Sequence, residues 1–554
     1  MIWLMQKMES ALLPSPDRLL QNGTLVSLSL RQKVQHYAFG AFQLGVSLAV
    51  SPVALLYSGA RSLFGRATPA PPMRALAPTV PLPAHRGFAD SLFQTSGLGT
   101  RQSATPLQGT ANWEKWLTPA RIEGTDSNTD YRTFFTDVLG NPDAFIAQLG
   151  KMGVSAYRFS LEWSVMEPKK GERGSEALRL YTTFIKKLRD AKIEPYVTLH
   201  HFVLPQWFET QGGFNDLNNV SLFITHAQAM IAAFPSVKYW MTFNEPGVFA
   251  FQTYVRGVYP PGITGDVATA GRVMRNLMYA HCQIYQAVKS KNSDVQIGIT
   301  HQWLKFEPLC GNPLEKAICY FLSKISHYAV YNFFKTGQFS LEIPFKANVQ
   351  FSIPEKEFKR NNRFVDFFGV QFYAFPRLKM GFNGGEKHPG YKITNLMFWK
   401  TGLTFGSTCP KGGKAQSFGP GFYPESLQAC LNEAWALDRP IAITEIGCDA
   451  RIQKWGSDRF EIDNETQAEY FRKIFPIIQR QAKRLQALFV WTFWRGHLEW
   501  DRGDQPILGT VTLLKTSTSK AAEGFVVSPA GEFLAETFKA AKQPQLDHKD
   551  QRAS

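Results

Sequence analysis

Seven stretches of the chain are short apolar runs, rich in β-branched and aromatic residues. They cover residues 155–163, 194–201, 237–244, 295–303, 364–373, 441–445 and 487–494. Runs without a polar face are typical of strands that are buried on both sides of a parallel sheet. The pattern predicts an eighth, short strand near Leu107 and Gln108.

Longer stretches with apolar residues at helical spacing separate these runs. They cover residues 143–152, 176–191, 220–234, 267–290, 425–436 and 465–486. Regular alternation of strands and helices is typical of βα units. Eight such strands predict an α/β fold, the closed TIM (β/α)8 barrel. We place this barrel at residues 87–542 and expect an N-terminal extension before it.

The extension, residues 1–86, differs from the barrel in composition. Residues 62–86 are rich in Pro and Ala and are predicted to be a linker. Residues 34–60 contain no Asp, Glu, Lys or Arg and are long enough to cross a bilayer, but several polar residues and a proline dilute their apolarity. A spanning helix, a membrane-surface segment and a loosely packed helical extension therefore remain alternatives. Residues 543–554 are polar and are predicted to be a disordered tail.

The chain is basic, with a net charge of +16 and a pI near 9.4. Such a charge favours anionic partners, including membrane surfaces, nucleic acids and acidic sugars. The sequence has no zinc-finger spacing, RNP-type aromatic motif or glycine-rich phosphate loop. We therefore favour a basic surface with attraction to acidic lipids and predict no nucleic-acid partner.

The six cysteines show no CxxC pairing. In a long chain this pattern predicts reduced, mostly buried thiols of an intracellular protein rather than a disulfide framework. The first residues lack the basic start and compact apolar core of a signal peptide. We therefore expect a cytoplasmic or membrane-associated location.

Two of the predicted strands end on a glutamate. One leads into Asn244-Glu245-Pro246, and the other into Glu445. In a β/α barrel the carboxyl ends of the strands form the floor of the active site. Two carboxylates that converge there can act as acid/base and nucleophile on an acetal. Taken singly, each glutamate could equally be a surface group or a helix-cap partner.

Longer motifs surround both glutamates and recur in order along the chain. The two central ones are Thr242-Phe243-Asn244-Glu245-Pro246 and Ile443-Thr444-Glu445-Ile446-Gly447. The others are Tyr157-Arg158-Phe159-Ser160 with Trp163, residues 198–206, residues 366–373, and Val490-Trp491 with Leu498-Glu499-Trp500. Over residues 87–540 the chain resembles glycoside hydrolase family 1, the β-glucosidase and β-galactosidase group.

The resemblance implies roles for the catalytic residues. Glu445 corresponds to the nucleophile and Glu245 to the acid/base. Arg158 and Tyr373 occupy the positions that keep the nucleophile ionised, and Asn244 the position that binds the sugar 2-hydroxyl. In a retaining enzyme of this kind the two carboxyl groups stand about 5–5.5 Å apart.

The resemblance also implies substrate-binding residues. Gln108, His201, Glu499 and Trp500 match positions that hold the remaining hydroxyls, and Trp491 matches the stacking platform. No metal or organic cofactor is implied. Several positions depart from the family pattern, so specificity is open. They are Ile446, Gln371, Phe202, Val203 and Val165.

The leading hypothesis is a retaining β-glycosidase that hydrolyses β-glucosides or β-galactosides through a covalent glycosyl-enzyme. One alternative is a membrane-associated transglycosylase that moves galactose between galactolipids, since some relatives of this family do so. Another is a catalytically weak, sugar-binding barrel. The expected partner is a small-molecule or lipid-linked β-glycoside, and residues 34–60 are the candidate for membrane association.

Overall fold

A computed structural model gives the fold of the part of the chain that carries most of the predicted elements. It describes residues 20–21, 24–25, 81–96, 109–116, 138–140, 142–308, 313–343, 346–373, 377–380, 403–406, 415–416, 425–448, 450–453, 460–462, 464–494, 509–514 and 524–541. The predicted membrane segment 34–60, the tail 543–554 and the candidate site residues Gln108, Glu499 and Trp500 lie outside these residues.

Eight parallel strands form a closed barrel. They are β1 (His85–Ala89), β2 (Ala156–Ser160), β3 (Glu194–His200), β4 (Tyr239–Phe243), β5 (Gln296–Gln302), β6 (Phe367–Phe372), β7 (Ile441–Ile446) and β8 (Leu485–Trp491). Each strand pairs with the next in chain order, and β8 pairs with β1 to close the ring. The predicted TIM barrel is confirmed.

Helices pack around the barrel between successive strands. They are Asp143–Lys151, Ser175–Asp190, Leu217–Ala233, Val267–Lys289, Ala329–Thr336, Glu425–Trp435 and Asn464–Arg480. Two of them begin at an aspartate cap: the carboxylate of Asp216 accepts from the backbone N–H of Asn218, and that of Asp266 from Thr269. Among the described residues, no helix has the length and apolarity needed to cross a membrane.

Further helical segments lie at the strand ends and between these elements. The α-helical ones are Leu92–Ser96, Asn112–Trp116, Trp163–Met166, Gln206–Thr210, Pro246–Tyr254, Pro313–Ser323, Glu355–Arg360 and Pro529–Ala540. A π-helical turn covers Lys324–Tyr328, and 3-10 turns cover Gly213–Asn215, Asn362–Phe364 and Ala482–Arg484.

Small sheets lie outside the barrel. Antiparallel pairs join Gln338–Ile343 to Ala347–Ser352, Val511–Leu514 to Gly524–Val527, and Leu20–Gln21 to Thr24–Leu25. There are also two three-stranded sheets among the described residues. One consists of Glu307–Pro308, Arg377–Met380 and Leu403–Gly406, and the other of Ala415–Gln416, Arg451–Gln453 and Phe460–Ile462.

The first barrel strand is not where the sequence placed it. It is His85–Ala89, not a strand near Leu107, and it pairs with β8 and β2. The prediction was wrong because the strand opens on the polar pair His85-Arg86, directly after the Pro/Ala-rich stretch. The boundary drawn at residue 87 therefore lies inside β1.

Arg86 on β1 hydrogen-bonds the backbone at the end of the helix Pro529–Ala540. Its guanidinium Nε and Nη2 donate to the backbone carbonyl of Phe538 at 3.1 and 2.9 Å, and Nη2 also reaches the carbonyl of Ala541. Leu82, just before the strand, is fully buried. The folded barrel thus begins before residue 87.

Aromatic side chains fill the barrel near the amino ends of its strands. Tyr196 and Tyr239 stack with ring centroids 4.3 Å apart, and Phe489 and Phe367 meet the edge of Tyr196 at 4.9 and 6.1 Å. This plug closes one end of the barrel. The carboxyl ends of the strands are left to the polar side chains that form the candidate site.

Candidate active site

Buried polar side chains converge where the barrel strands end. Because all eight strands are parallel, their carboxyl ends meet at one rim, and the residues there face the same space. The predicted residues in this group are Arg158 on β2, His201 after β3, Asn244 and Glu245 after β4, Tyr373 after β6, Glu445 on β7 and Trp491 on β8.

Glu445 receives hydrogen bonds on both carboxylate oxygens. Arg158 Nη1 donates to Oε1 at 2.7 Å, Gln371 Nε2 donates to the same oxygen at 2.7 Å, and Tyr373 Oη donates to Oε2 at 2.6 Å. The carboxylate is only 4% exposed. A cation and two neutral donors around a buried carboxylate favour its ionised form, which is the form that can act as a nucleophile.

Asn244 lies beside this carboxylate with its amide orientation fixed. Its Oδ1 accepts from Arg158 Nη2 at 2.6 Å, Gln371 Nε2 at 2.7 Å and Thr300 Oγ1 at 3.0 Å. Because three groups already donate to Oδ1, the amide nitrogen Nδ2 is the atom of this side chain that can donate to a ligand. This is the polarity needed to hold a sugar hydroxyl oxygen.

Glu245 follows Asn244 in an unusual backbone conformation. Its φ is 41°, in the left-handed region, and its backbone N–H donates to the carbonyl of Thr300 at 3.1 Å. The residue caps the helix Pro246–Tyr254 and is 6% exposed. A strained residue held at a strand end is typical of a functional site. The distance between the two glutamate carboxyl groups stays a prediction.

His201 and Trp491 form a flat, partly polar wall. Their rings stack at 5.5 Å with 24° between the planes. Burial lowers the pKa of His201 well below its usual value, and the charges of Arg158 and His200 lower it further. The imidazole is therefore neutral, with one nitrogen to donate and one to accept, which suits contacts with hydroxyl groups.

The remaining substrate-binding predictions concern Gln108, Glu499 and Trp500, which lie outside the described residues. All three stay predictions. Gln94, in the short helix after β1, is a buried glutamine next to the first strand, which is the place that the sequence reading gave to Gln108. The apolar pair Phe88-Ala89 at the end of β1 was the sequence signal that could have located the first strand, and with it Gln94 as a residue near the site.

The contacts of Gln371 in the site were not predicted from the sequence. This residue stands out in the sequence as a departure from the family pattern, and its amide donates to both Glu445 and Asn244. The other departures Ile446, Phe202, Val203 and Val165 are buried and apolar. The polar contacts of the site are thus concentrated on few side chains.

A second buried polar group lies behind β5, outside the barrel. His301 Nε2 and His327 Nδ1 are 3.0 Å apart, and Glu433 accepts from Trp303 Nε1 at 3.1 Å and Lys305 Nζ at 3.0 Å. Burial by itself would raise the pKa of Glu433, but His327, followed by Trp303 and Lys305, lowers it to about 2. No group of three or more His, Cys, Asp or Glu in the described ranges could hold a metal ion.

Comparison with known proteins identifies the family. The model of "Glycosyl hydrolase family 1" matches residues 108–512, more than half of the chain. A 6-phospho-beta-galactosidase of Clostridium acetobutylicum is 28% identical over 306 residues, which are 53% of this chain and 62% of that protein. One of Staphylococcus haemolyticus is 25% identical over 378 residues, which are 62% of this chain and 77% of the relative. The chain thus spans less than two thirds of the first of these relatives.

Solved structures share the fold of this chain. A beta-glucosidase from Exiguobacterium marinum aligns over 87% of this chain and 100% of its own, with a TM-score of 0.63 and 19% identity. A rice beta-glucosidase aligns over 83% and 98%, with a TM-score of 0.66 and 20% identity. At this identity the likeness bears on the fold. Because the family match extends over most of the chain, this protein belongs to glycosyl hydrolase family 1, as its ordered motifs indicated.

Proposed function

We propose that this protein is a retaining β-glycosidase that hydrolyses O-glycosyl bonds through a covalent glycosyl-enzyme. Glu445 is the nucleophile and Glu245 the acid/base. Arg158 and Tyr373 hold Glu445 ionised, and Asn244 binds the 2-hydroxyl. The observation that carries the proposal is the arrangement at Glu445: a buried carboxylate with a guanidinium at 2.7 Å on one oxygen and a phenol at 2.6 Å on the other.

In the first step Glu445 attacks the anomeric carbon on the face opposite the leaving group. Glu245 gives its proton to the glycosidic oxygen, so the aglycone leaves as an alcohol and the sugar becomes an ester of Glu445. Before this step the negative charge of Glu445 raises the proton affinity of Glu245. The charge is lost when Glu445 becomes an ester, so the proton affinity of Glu245 then falls. Hydrogen bonds from Asn244 to the 2-hydroxyl strengthen in the transition state.

In the second step Glu245, now ionised, takes a proton from water, and the resulting hydroxide attacks the anomeric carbon. Glu445 leaves as a carboxylate and is again held by Arg158 and Tyr373. Two inversions give net retention of the β-configuration. His201 and Trp491 are proposed to contact the sugar ring through hydrogen bonds and stacking, with Glu499 and Trp500 holding further hydroxyls.

The proposed substrates are neutral β-glucosides or β-galactosides. The two bacterial relatives are named for phosphorylated galactosides. In this chain Glu499 stands among the residues proposed to hold sugar hydroxyls, and a carboxylate there would repel a 6-phosphate. We therefore favour the unphosphorylated sugar.

A panel of aryl β-glycosides tests the proposal. Purified protein is assayed on the β-glucoside, the β-galactoside and their 6-phosphates, with Glu445→Gln as the blank. Glu433→Gln, which alters a partly buried glutamate outside the barrel, is the matched control and should keep its turnover. Activity that is equal in wild type and Glu445→Gln would contradict the proposal.

The second candidate function is transglycosylation. Val203 and Ile446 are buried apolar residues at positions where the family pattern has Asp and Asn, which favours a lipid or sugar acceptor over water. Both reactions pass through the same glycosyl-enzyme and differ in the acceptor. Product analysis with a galactolipid as donor and acceptor separates them, because only the transferase gives oligogalactosyl lipid. Membrane association through residues 34–60 belongs to this candidate.

A further inference from the structure

The end of the barrel opposite the active site is strongly basic. The helices run antiparallel to the strands, so the chain that leads into each strand lies at the amino end of the barrel. The segments that lead into β2 to β8 form what we call the amino-end face, and they contain 16 Lys and Arg against 7 Asp and Glu. They are residues 151–155, 186–194, 235–238, 289–295, 355–366, 438–440 and 480–484.

The carboxyl end of the barrel has the opposite balance. The described segments that follow β1 to β5 contain 8 Lys and Arg against 11 Asp and Glu. They are residues 90–96, 109–116, 161–174, 201–216, 244–266, 303–308 and 313–328. The amino-end face, with less than a tenth of the residues, therefore carries an excess of positive charge that is more than half of the chain's net charge of +16.

The basic segments form one continuous surface. Hydrogen bonds or ion pairs join neighbouring segments from the one before β3 to the one before β7. They are Arg189 to Ser236, Lys238 to Gln296, Lys289 to Asp366 and Arg439 to Asn362. Because β8 is the neighbour of β7 in the ring, residues 480–484 continue the same surface.

Acidic neighbours neutralise only part of this surface. Six of its basic residues form ion pairs, namely Lys186, Lys187, Arg189, Lys289, Lys359 and Arg363. Others are exposed and have no ion-pair partner among the residues that the structure describes. They are Lys151, Lys192, Lys238, Lys291, Lys356, Arg360, Arg480, Lys483 and Arg484. Their charges are available to an anionic partner.

Helix geometry explains only a part of the excess. A basic residue in the last turn of a helix interacts favourably with the helix dipole, and Lys187 and Arg189 are of this kind. Lys192, Lys238 and Lys291 lie beyond the helix ends, and the dipole effect is confined to the last turn. The excess is therefore a property of the face as a whole.

The N-terminal extension joins the barrel on this basic side. Leu82 comes just before β1, and the first residue of that strand, His85, lies at the amino end of the barrel. The uncharged residues 34–60, which the sequence gave as the candidate for membrane association, precede this point in the chain. The candidate membrane segment is thus attached at the basic end and not at the end that carries the active site.

We propose that the amino-end face binds the surface of a membrane that contains anionic lipids. Lys and Arg near such a surface are attracted by its negative potential. Charges spread over a broad rim match a planar array of headgroups better than a partner that fits a groove. The active site then opens away from this membrane, and the glycoside reaches it from the aqueous side. This binding is independent of the glycosidase activity.

The test measures partition of the full chain into phosphatidylcholine vesicles with and without phosphatidylglycerol. The quantity compared is the ratio of the two partition coefficients, because apolar contacts of the extension contribute to both. In a variant with Lys291→Glu, Lys356→Glu and Lys483→Glu this ratio should fall about a hundredfold, since each lysine near the surface contributes about fivefold. High salt should lower the ratio of the wild type.

The matched control makes the same change of charge at the other end of the barrel. Lys169→Glu, Lys170→Glu and Lys316→Glu alter three exposed lysines of segments that follow strands. The ratio should change far less than in the first variant. Equal falls in the two variants would show that total charge and not this face decides binding, and would overturn the proposal.

Lysine acetylation of the wild type, read by mass spectrometry, tests the orientation without any variant. Anionic vesicles should slow the reaction of Lys291, Lys356 and Lys483 severalfold and leave that of Lys169 and Lys316 unchanged. Protection of the second group instead, or of neither, would overturn the proposal. So would binding to a DNA duplex together with an equal partition into anionic and neutral vesicles, because the face would then serve another anionic partner.

Discussion

Arg158 Nη2 donates to Asn244 Oδ1 at 2.6 Å, and this bond connects β2 to the end of β4, where Glu245 follows. The other arm of the same guanidinium, Nη1, donates to Glu445. A third bond, from Nε to Thr198 Oγ1 at 3.2 Å, anchors the side chain to β3. One buried cation on β2 therefore sets the relative position of the residues next to both carboxyl groups.

Replacing Arg158 should cost far more in turnover than in folding. Arg158→Met removes the donors to Glu445 Oε1 and Asn244 Oδ1 at once. Loss of one preorganised donor typically costs about 10²–10³-fold in kcat, and we expect at least that. Steady-state kinetics on an aryl β-glycoside and thermal unfolding of the same preparation measure the two effects.

Arg86→Met is the matched control, because Arg86 is also buried but bonds the backbone near Phe538. It should lower the unfolding temperature and keep kcat in the molecules that remain folded. Near-normal turnover in Arg158→Met would show that another group holds the charge of Glu445.

The roles of the two glutamates are distinguishable by azide rescue. Glu245→Ala should still form the glycosyl-enzyme from an activated aryl glycoside, since a good leaving group needs little protonation. Added azide should then attack from the side that the glutamate vacated and give the β-glycosyl azide. Glu445→Ala forms no such intermediate, so azide attacks the substrate directly and gives the α-azide. NMR identifies the anomer, and reversed anomers would mean reversed roles.

Acid should destabilise the fold through buried His200. Burial lowers its pKa to about 3, and neither ring nitrogen has a partner among the described residues. The unfolded chain takes up this proton near pH 6.5, so it binds more protons than the folded chain between those values, and stability falls as pH falls. The slope is about 1.4 kcal/mol per pH unit, or about 2 kcal/mol between pH 6.5 and 5.

The measurement for this prediction is urea unfolding of wild type and His200→Phe at pH 7 and pH 5. Phenylalanine fits the aromatic surroundings, where Phe249 meets the imidazole edge at 4.9 Å. The variant should lose less stability than wild type on acidification. Equal losses would show that His200 is protonated in the folded protein or that another group sets the slope.

The N-terminal extension should be separable from the barrel, but at an earlier residue than the sequence suggested. A chain that starts at Pro81 keeps Leu82 and all of β1, and should fold and keep any activity. A chain that starts at Gly87 loses His85 and Arg86 and should unfold at a lower temperature. Equal unfolding temperatures would show that β1 contributes little, and insolubility of both would show that the extension covers part of the core.

Strands with an unmistakable pattern were predicted well from the sequence. Residues 441–443 and 239–241 are apolar without a break, and both lie in barrel strands. Strand β1 was not predicted because its apolar part, Phe88-Ala89, is short and follows a Pro/Ala-rich stretch and two polar residues. The Pro/Ala-rich stretch before it gave no sign that Arg86 would bond a helix near the other end of the chain.

Contacts made through strand register could not be predicted. The sequence shows that Gln371 stands where the family pattern has another residue, but only the register shift against β7 reveals that it touches Glu445. The same holds for His301 and His327, which meet because a π-helical turn carries the second histidine behind β5. The expected contacts of Arg158 and Tyr373 with Glu445 are present, and their catalytic roles stay predictions.

The closure of the ring between β8 and β1 has a consequence for synthesis. Strand Leu485–Trp491 pairs with His85–Ala89, and Arg86 bonds the helix that follows still later. While the ribosome is still making the last part of the chain, β1 and β7 are therefore open edges, and the residues around Glu445 lack one wall. Non-local pairing of this kind slows folding and exposes strand edges to other chains. Chaperone binding to the nascent barrel is expected to persist until β8 has emerged.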